Sequence, residues 1–290
     1  VRMNLNDTRE LLWLTGGLYG TALIFGLFKT FKVKSVFQEV PLILISLGFV
    51  IHTRALYLRG LDVHGCPLGN TLERAQFILW SLILAFLILR FIWRLDLLGS
   101  FCAGLSFCIG WITLLFPGFD TAYWLKDDYQ KLFSSPWIEL HASIAIFSYG
   151  LFSLLSIVCS MYLLQRKALL KRSFNKFSTF LPPIHDLEHA AFRLLLIGTL
   201  CLSLSIVVGA MHWMQDPEYV TSTKLFISII LWLGYCTLFF LRYSNLLFGS
   251  KFCKASIGLF LIAMISMGFL NSKERAMSRP QPLTSQIELK

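Results

Sequence analysis

The sequence predicts an all-α fold: a polytopic membrane helical bundle of about eight transmembrane helices. Two observations carry that prediction. Only 14% of the 290 residues are charged and 56% are hydrophobic, against roughly 25% charged in soluble domains, so the chain lacks the polar residues to cover a water-facing surface. The charged residues also cluster between apolar runs of about 17 to 28 residues, and a helix needs about 20 apolar residues to cross a bilayer. A transmembrane barrel would show alternating segments of about ten residues instead, and the sequence has none.

Taken in order, the first span covers residues 11–28. It lacks a strongly basic leader and a small-residue cleavage site, so it reads as a retained helix rather than a cleaved signal. The second covers 41–58, the third 75–93 and the fourth 97–116. The fifth, 137–164, is too long for about 30 Å of hydrocarbon unless it tilts or protrudes. The sixth covers 190–211, the seventh 225–241 and the eighth 252–270. Residues 1–272 thus form a single transmembrane helical domain. The polar segment 273–290, with Pro280 and Pro282, is expected to be a disordered tail.

The formal net charge is +10. In this setting the basic residues sit at helix ends, where they meet the anionic headgroups of the lipid bilayer; no nucleic-acid partner is expected. An even number of spans puts both termini on one side. Lys and Arg are nearly balanced between the two sides, but the loop after the fifth span carries the strongest basic cluster, Arg166, Lys167, Lys171, Arg172 and Lys176. The loops holding Asp120, Asp127 and Asp128, and Asp216 and Glu218, are acidic. The termini are therefore expected outside. The seven cysteines include no C-x-x-C pair, and only Cys66 falls in a loop, which does not suggest a disulfide framework.

That orientation gathers four of the six histidines towards the outer face: His52 in the outer half of span two, His64 in the next loop, His141 near the start of span five and His212 at the end of span six. Histidine is a natural axial ligand for haem iron, two facing helices can hold one haem between them, and an ionisable side chain at membrane depth suggests function. An interfacial resting place for each imidazole is the competing reading. His185, Asp186, Leu187, Glu188 and His189 spell H-x-x-E-H, a zinc-protease string. It lacks a soluble catalytic domain, and it also reads as a helix start after Pro182 and Pro183. Arg193 stands where it could pair with Glu188 or His189, or snorkel. Glu73 is costly in lipid and is either functional or part of a cap following Asn70.

Three stretches carry a family resemblance. HTRALYLRGLDVHGCPLGNTLERAQFILW, from His52 to Trp80, resembles the H…G-H-x-P-x-S-N-x-x-E…W pattern of the cytochrome c assembly membrane proteins, the CcsA and HemX group, with Gly69 in place of the Ser. LHASIAIFSYGLFSLLSIVCSMYLL, from Leu140, resembles that family's L-H-x-x-x-x-x-x-S-Y-A helix, and LPPIHDLEHAAFRLLLIGTLCLSLSIVVGA, from Leu181, its L-P-x-x-x-x-L-E…F-R…G segment. The resemblance implies a bacterial inner-membrane protein in which His141 is an external haem ligand, with haem b as cofactor and cytochrome assembly or haem-pathway proteins as partners. The departures imply limits. Where haem lyases of the family carry a tryptophan-rich loop, this chain has MHWMQDPEYVTSTK, with Trp213 alone. Histidines implied near Arg242 and near Asn271 are missing. The chain is most similar to the short HemX- and YpjD-like branch.

Two functions follow as expectations. One is a membrane haem-binding or haem-handling protein linked to cytochrome c assembly or haem biosynthesis, with His141 as ligand and His52, His64 or His212 as its partner. The alternative is a non-haem accessory or transporter-like protein that kept the fold and lost the cofactor. Neither assigns a reaction to the chain, so a binding role is expected over an enzymatic one.

Overall fold

The computed structural model describes residues 5–30, 39–63, 65–93, 96–120, 136–171, 181–214 and 222–277. Among them all the regular structure is helical: α1 Leu5–Thr30, α2 Val40–Val63, α3 Thr71–Trp93, α4 Asp96–Leu115, a short 3-10 turn at Pro117–Phe119, α5 Pro136–Leu170, α6 Ile184–Trp213, α7 Ser222–Tyr243 and α8 Gly249–Met277. All eight α-helices are long and apolar enough to cross a bilayer, so this is a multi-pass membrane protein. His64 and most of the tail (278–290) lie outside the described residues.

Helix starts lie further out than the apolar runs, because caps are polar. α3 begins at Thr71 since Asn70 Oδ1 accepts the Glu73 backbone N–H (2.8 Å), the standard N-cap bond. α6 begins at Ile184, behind Pro182 and Pro183, which suit the start of a helix. α8 runs on through Lys273 and Glu274 to Met277, since both are good helix formers. At 35 residues, α5 is about 52 Å long at 1.5 Å per residue, which exceeds the hydrocarbon thickness and carries Lys167 in its last turn clear of it.

The bundle has two parts. α1, α2 and α4 pack together; α5 packs along α6, with α7 and α8 beside them. α3 and α5 join the parts at Gly150, where an added Cβ would stand 3.0 Å from the Leu82 N and 3.1 Å from the Ile78 O. Only glycine lets the two backbones come this close, the packing that transmembrane helices favour. A continuous apolar core runs through both parts, with Phe152 stacked on Tyr235 at 3.6 Å.

Successive helices alternate in direction. One end of the bundle therefore collects the start of α1, the α2–α3 turn, the end of α4, the start of α5 and the end of α6. The opposite end carries the Glu39–Arg90 pair (3.9 Å) and the Glu188–Arg242 pair (3.0 Å).

Candidate functional site

The first of these ends holds a buried charge network. Arg59, 1% exposed, closes α2. Its guanidinium donates to Asp120 through two bonds (3.0 and 2.8 Å) and to Glu73 Oε1 (3.1 Å). Arg9 of α1 also reaches Asp120 (3.4 Å) and donates to the Leu114 carbonyl (2.9 Å). Asn70 Nδ2 donates to Asp120 Oδ1 (3.0 Å), and the Gly69 N–H donates to Glu73 Oε2 (3.1 Å). Two arginines and two carboxylates balance, and the bidentate Arg–carboxylate geometry is the strong kind. Asn70 and Glu73 are therefore members of a clamp that ties α1, α2, α3 and the end of α4 together.

Beside it, Cys66 bridges to α5: its N–H donates to Glu139 Oε1 (3.3 Å) and its Sγ lies 3.3 Å from the Ser143 hydroxyl. Burial pushes the thiol pKa up; the Ser143 bond opposes it, and the negative charges of Glu139 and then Glu73 add to the rise. The folded state thus holds this proton more tightly than the unfolded chain. The associated stability is intact below the ordinary thiol pKa and is lost as the pH rises through the folded value. Alkylation of Cys66, followed by peptide mass spectrometry, is expected to lag a free thiol at pH 8 and to accelerate only in more alkaline buffer.

His141 lies in the second turn of α5 and packs on α6. Its Nδ1 stands 2.6 Å from the Ser205 carbonyl oxygen, while the Ser205 hydroxyl donates to the His141 carbonyl (2.9 Å). With that hydroxyl proton committed, Nδ1–H donates to the Ser205 carbonyl and the lone pair rests on Nε2, the tautomer of a metal-ligating imidazole. Gly209 makes the space: an added Cβ would lie 2.6 Å from Nδ1. His212 is seven residues beyond Ser205 and three beyond Gly209 in the same helix, a spacing that places its position on the same stripe. Gly209→Leu is expected to displace the His141 ring while leaving the helix intact, and imidazole NMR shifts measured against an unchanged circular dichroism spectrum check this.

His52 is not brought to His141. It sits near the middle of α2, 1% exposed, with Nδ1 3.4 Å from the Tyr19 hydroxyl of α1. Its Nε2 is buried without a hydrogen-bond partner among the described residues. The nearby Gln76 amide bonds instead to the Gly110 carbonyl (3.4 Å) and the Thr113 hydroxyl (3.1 Å).

At the opposite end, Glu188 is paired with Arg242 and accepts the N–H of Gly249 (3.1 Å), whose φ of 60° suits glycine. Arg242 lies between the rings of Phe192 and Phe252, 5.6 and 5.7 Å from their centroids. Arg193 stands one turn further along α6 and is exposed. His185 and His189 touch through their Nε2 atoms (3.1 Å) and are exposed. Among the described residues no third His, Cys, Asp or Glu joins them to form a metal set, and Glu188, the base such a protease needs, is held by Arg242.

Arg59 and Asp120 were not singled out from the sequence, because each stands at the end of an apolar run and reads as interfacial. The signal was available in the alternation of helices, which places Arg9, Arg59, Glu73 and Asp120 at one end.

The profile of the family described as cytochrome C assembly protein matches residues 68–274. Among similar proteins, HemX of Brevibacillus brevis is 28% identical over 179 residues, 61% of this chain and 64% of that protein. HemX of Bacillus subtilis (strain 168) is 26% identical over 208 residues, covering 71% of this chain and 74% of that protein. The cytochrome c biogenesis protein CcsA of Guillardia theta is 24% identical over 221 residues, covering 64% and 69%. The chain thus spans a little under two thirds of the first of these relatives. The matched segment holds Asn70, Glu73 and Asp120 of the clamp, though not its arginines, together with His141 and the whole α5–α6 seam, and on that match this multi-pass membrane protein belongs to the cytochrome c assembly protein family.

Proposed function

We propose that the protein binds haem b at the outer end of the α5–α6 seam and handles it for cytochrome c assembly or haem biosynthesis. The observation that carries this reading is the His141–Ser205 bond (2.6 Å), which orients the ring and leaves Nε2 available to iron. His212, whose position lies on the same stripe of α6 as Ser205, is the second ligand in this reading. The basic flank of α5, with Arg166, Lys167 and Lys171, supports placing the His141 end outside a bacterial inner membrane. Haem, when bound, would supply a redox-active iron; His141 would hold it, and the Ser205 carbonyl keeps the imidazole in the ligating tautomer. The partners proposed are cytochrome-assembly or haem-pathway proteins.

Haem titrated into the purified protein and followed at the Soret band tests this. A saturable band at one haem per chain is expected; a spectrum identical to haem in empty detergent would overturn it.

A second reading rests on Arg242. Where the family resemblance implies a membrane histidine, this chain has an arginine locked to Glu188. A protein that kept the fold and works without haem fits that replacement. It predicts full function with His141→Ala.

A further inference from the structure

Of the charged and imidazole groups in the H-x-x-E-H string at the start of α6, the bundle engages Glu188, which Arg242 holds. Leu187, Ala191 and Leu194 are fully buried, which turns the opposite face of the helix outward. That face carries His185 and His189, one turn apart and both exposed.

Their Nε2 atoms stand 3.1 Å apart, with ring centroids at 4.3 Å and planes inclined at 66°. Two bonds of about 2.0–2.1 Å from those atoms to one ion enclose roughly 95–102°. That lies between the right angle of an octahedral centre and the wider angle of a tetrahedral one. Without an ion, one Nε2–H donates to the other ring's lone pair. Once each ring carries its proton on Nδ1, both lone pairs meet at one point. Asp186 Oδ1 lies 3.9 Å from His185 Nδ1, an anion beside the N–H that this tautomer requires.

The donor set also selects the ion. Imidazole suits zinc, copper and nickel, whereas Mg²⁺ and Ca²⁺ take oxygen. Glu188 is committed to Arg242 and to the Gly249 N–H, so it offers no oxygen and no base to a bound ion. The side chain of His185 is 82% exposed, which leaves the remaining coordination positions to water.

We propose that His185 and His189 chelate a divalent transition-metal ion of the zinc class, at the end of the bundle opposite His141. It is a non-catalytic site that ties the first turn of α6 to the second. It shares no residue with the α5–α6 seam and does not rest on the haem-handling reading.

The full chain, purified in detergent through a tag without histidine and stripped of metal with a chelator, is titrated with Zn²⁺ by calorimetry. One saturable site per chain is expected. His185→Ala and His189→Ala should each weaken it by at least about tenfold, the scale on which loss of even an outer partner of a metal ligand is felt. Asp186→Asn should weaken it less than either. His141→Ala and His212→Ala should leave it unchanged, and Mg²⁺ should give no heat above the buffer blank. Cu²⁺ bound to the same chain should show two imidazole nitrogens by pulsed electron paramagnetic resonance, and one in either single variant. Both histidines are exposed, so gel filtration and helicity are expected to match wild type in these variants. Equal Zn²⁺ affinity in wild type and His185→Ala, a copper spectrum with a single imidazole in the wild type, or loss of the site in His141→Ala would each overturn the proposal.

Discussion

Replacing Arg59 with leucine should unfold the first half of the bundle at temperatures the wild type tolerates. The substitution removes the cation from between Glu73 and Asp120, with side-chain exposures of 1% and 8%. Breaking a buried pair leaves an uncompensated charge and costs about 3–5 kcal/mol, a large part of the 5–15 kcal/mol that holds a typical domain together. Thermal unfolding in detergent, read by circular dichroism, is expected to show a fall of several degrees or loss of the folded fraction. The triple variant Arg59→Leu, Glu73→Leu, Asp120→Leu is expected to regain much of that loss, because a buried charge cluster replaced as a whole by apolar groups is often near neutral. If the triple variant were no better than the single one, the clamp would matter for its hydrogen bonds to Asn70 and Gly69 rather than for its charge balance.

His141→Ala carries the second large effect. The imidazole has its Nδ1 already committed to the Ser205 carbonyl, so its removal takes away a ligand that is oriented before iron arrives. Loss of the Soret band is expected, with unchanged gel filtration and helicity, because His141 is half-exposed and the Ser205 hydroxyl keeps its bond to the backbone carbonyl of residue 141. Ser205→Ala should be milder, since the backbone carbonyl that accepts from Nδ1 remains. Free imidazole added to His141→Ala is expected to restore part of the band. A variant that kept its haem spectrum would transfer the ligand role away from α5.

Much of the architecture was legible because lipid is an unforgiving solvent. Every span must satisfy its own backbone, so an apolar run has to be a helix, and each of the eight runs was recovered as one. The ends were less legible. The Asn70 cap and the Pro182–Pro183 start lie in polar sequence, and neither adds to hydropathy. Side-chain partners were the hardest part. Glu188 is paired with Arg242, on a different helix, whereas the sequence offered only neighbours along α6 such as Arg193. Alternation put His52, His141 and His212 towards one end, but it says nothing of azimuth. The structure turns His52 to Tyr19 on α1, while His141 turns to α6.

The clamp also bears on how the chain is threaded into the membrane. Arg59 enters with α2, and its first counter-charge, Glu73, follows only 14 residues later at the head of α3. Charged residues are costly in hydrocarbon even near a helix end, so a hairpin that carries its own neutralising pair enters more readily than either helix alone. Asp120 arrives 61 residues after Arg59 and 111 after Arg9, at the close of α4. It can bind both arginines only once four helices have been laid down. The spacing thus orders the contacts: a local hairpin pair first, then a latch that needs the whole front half.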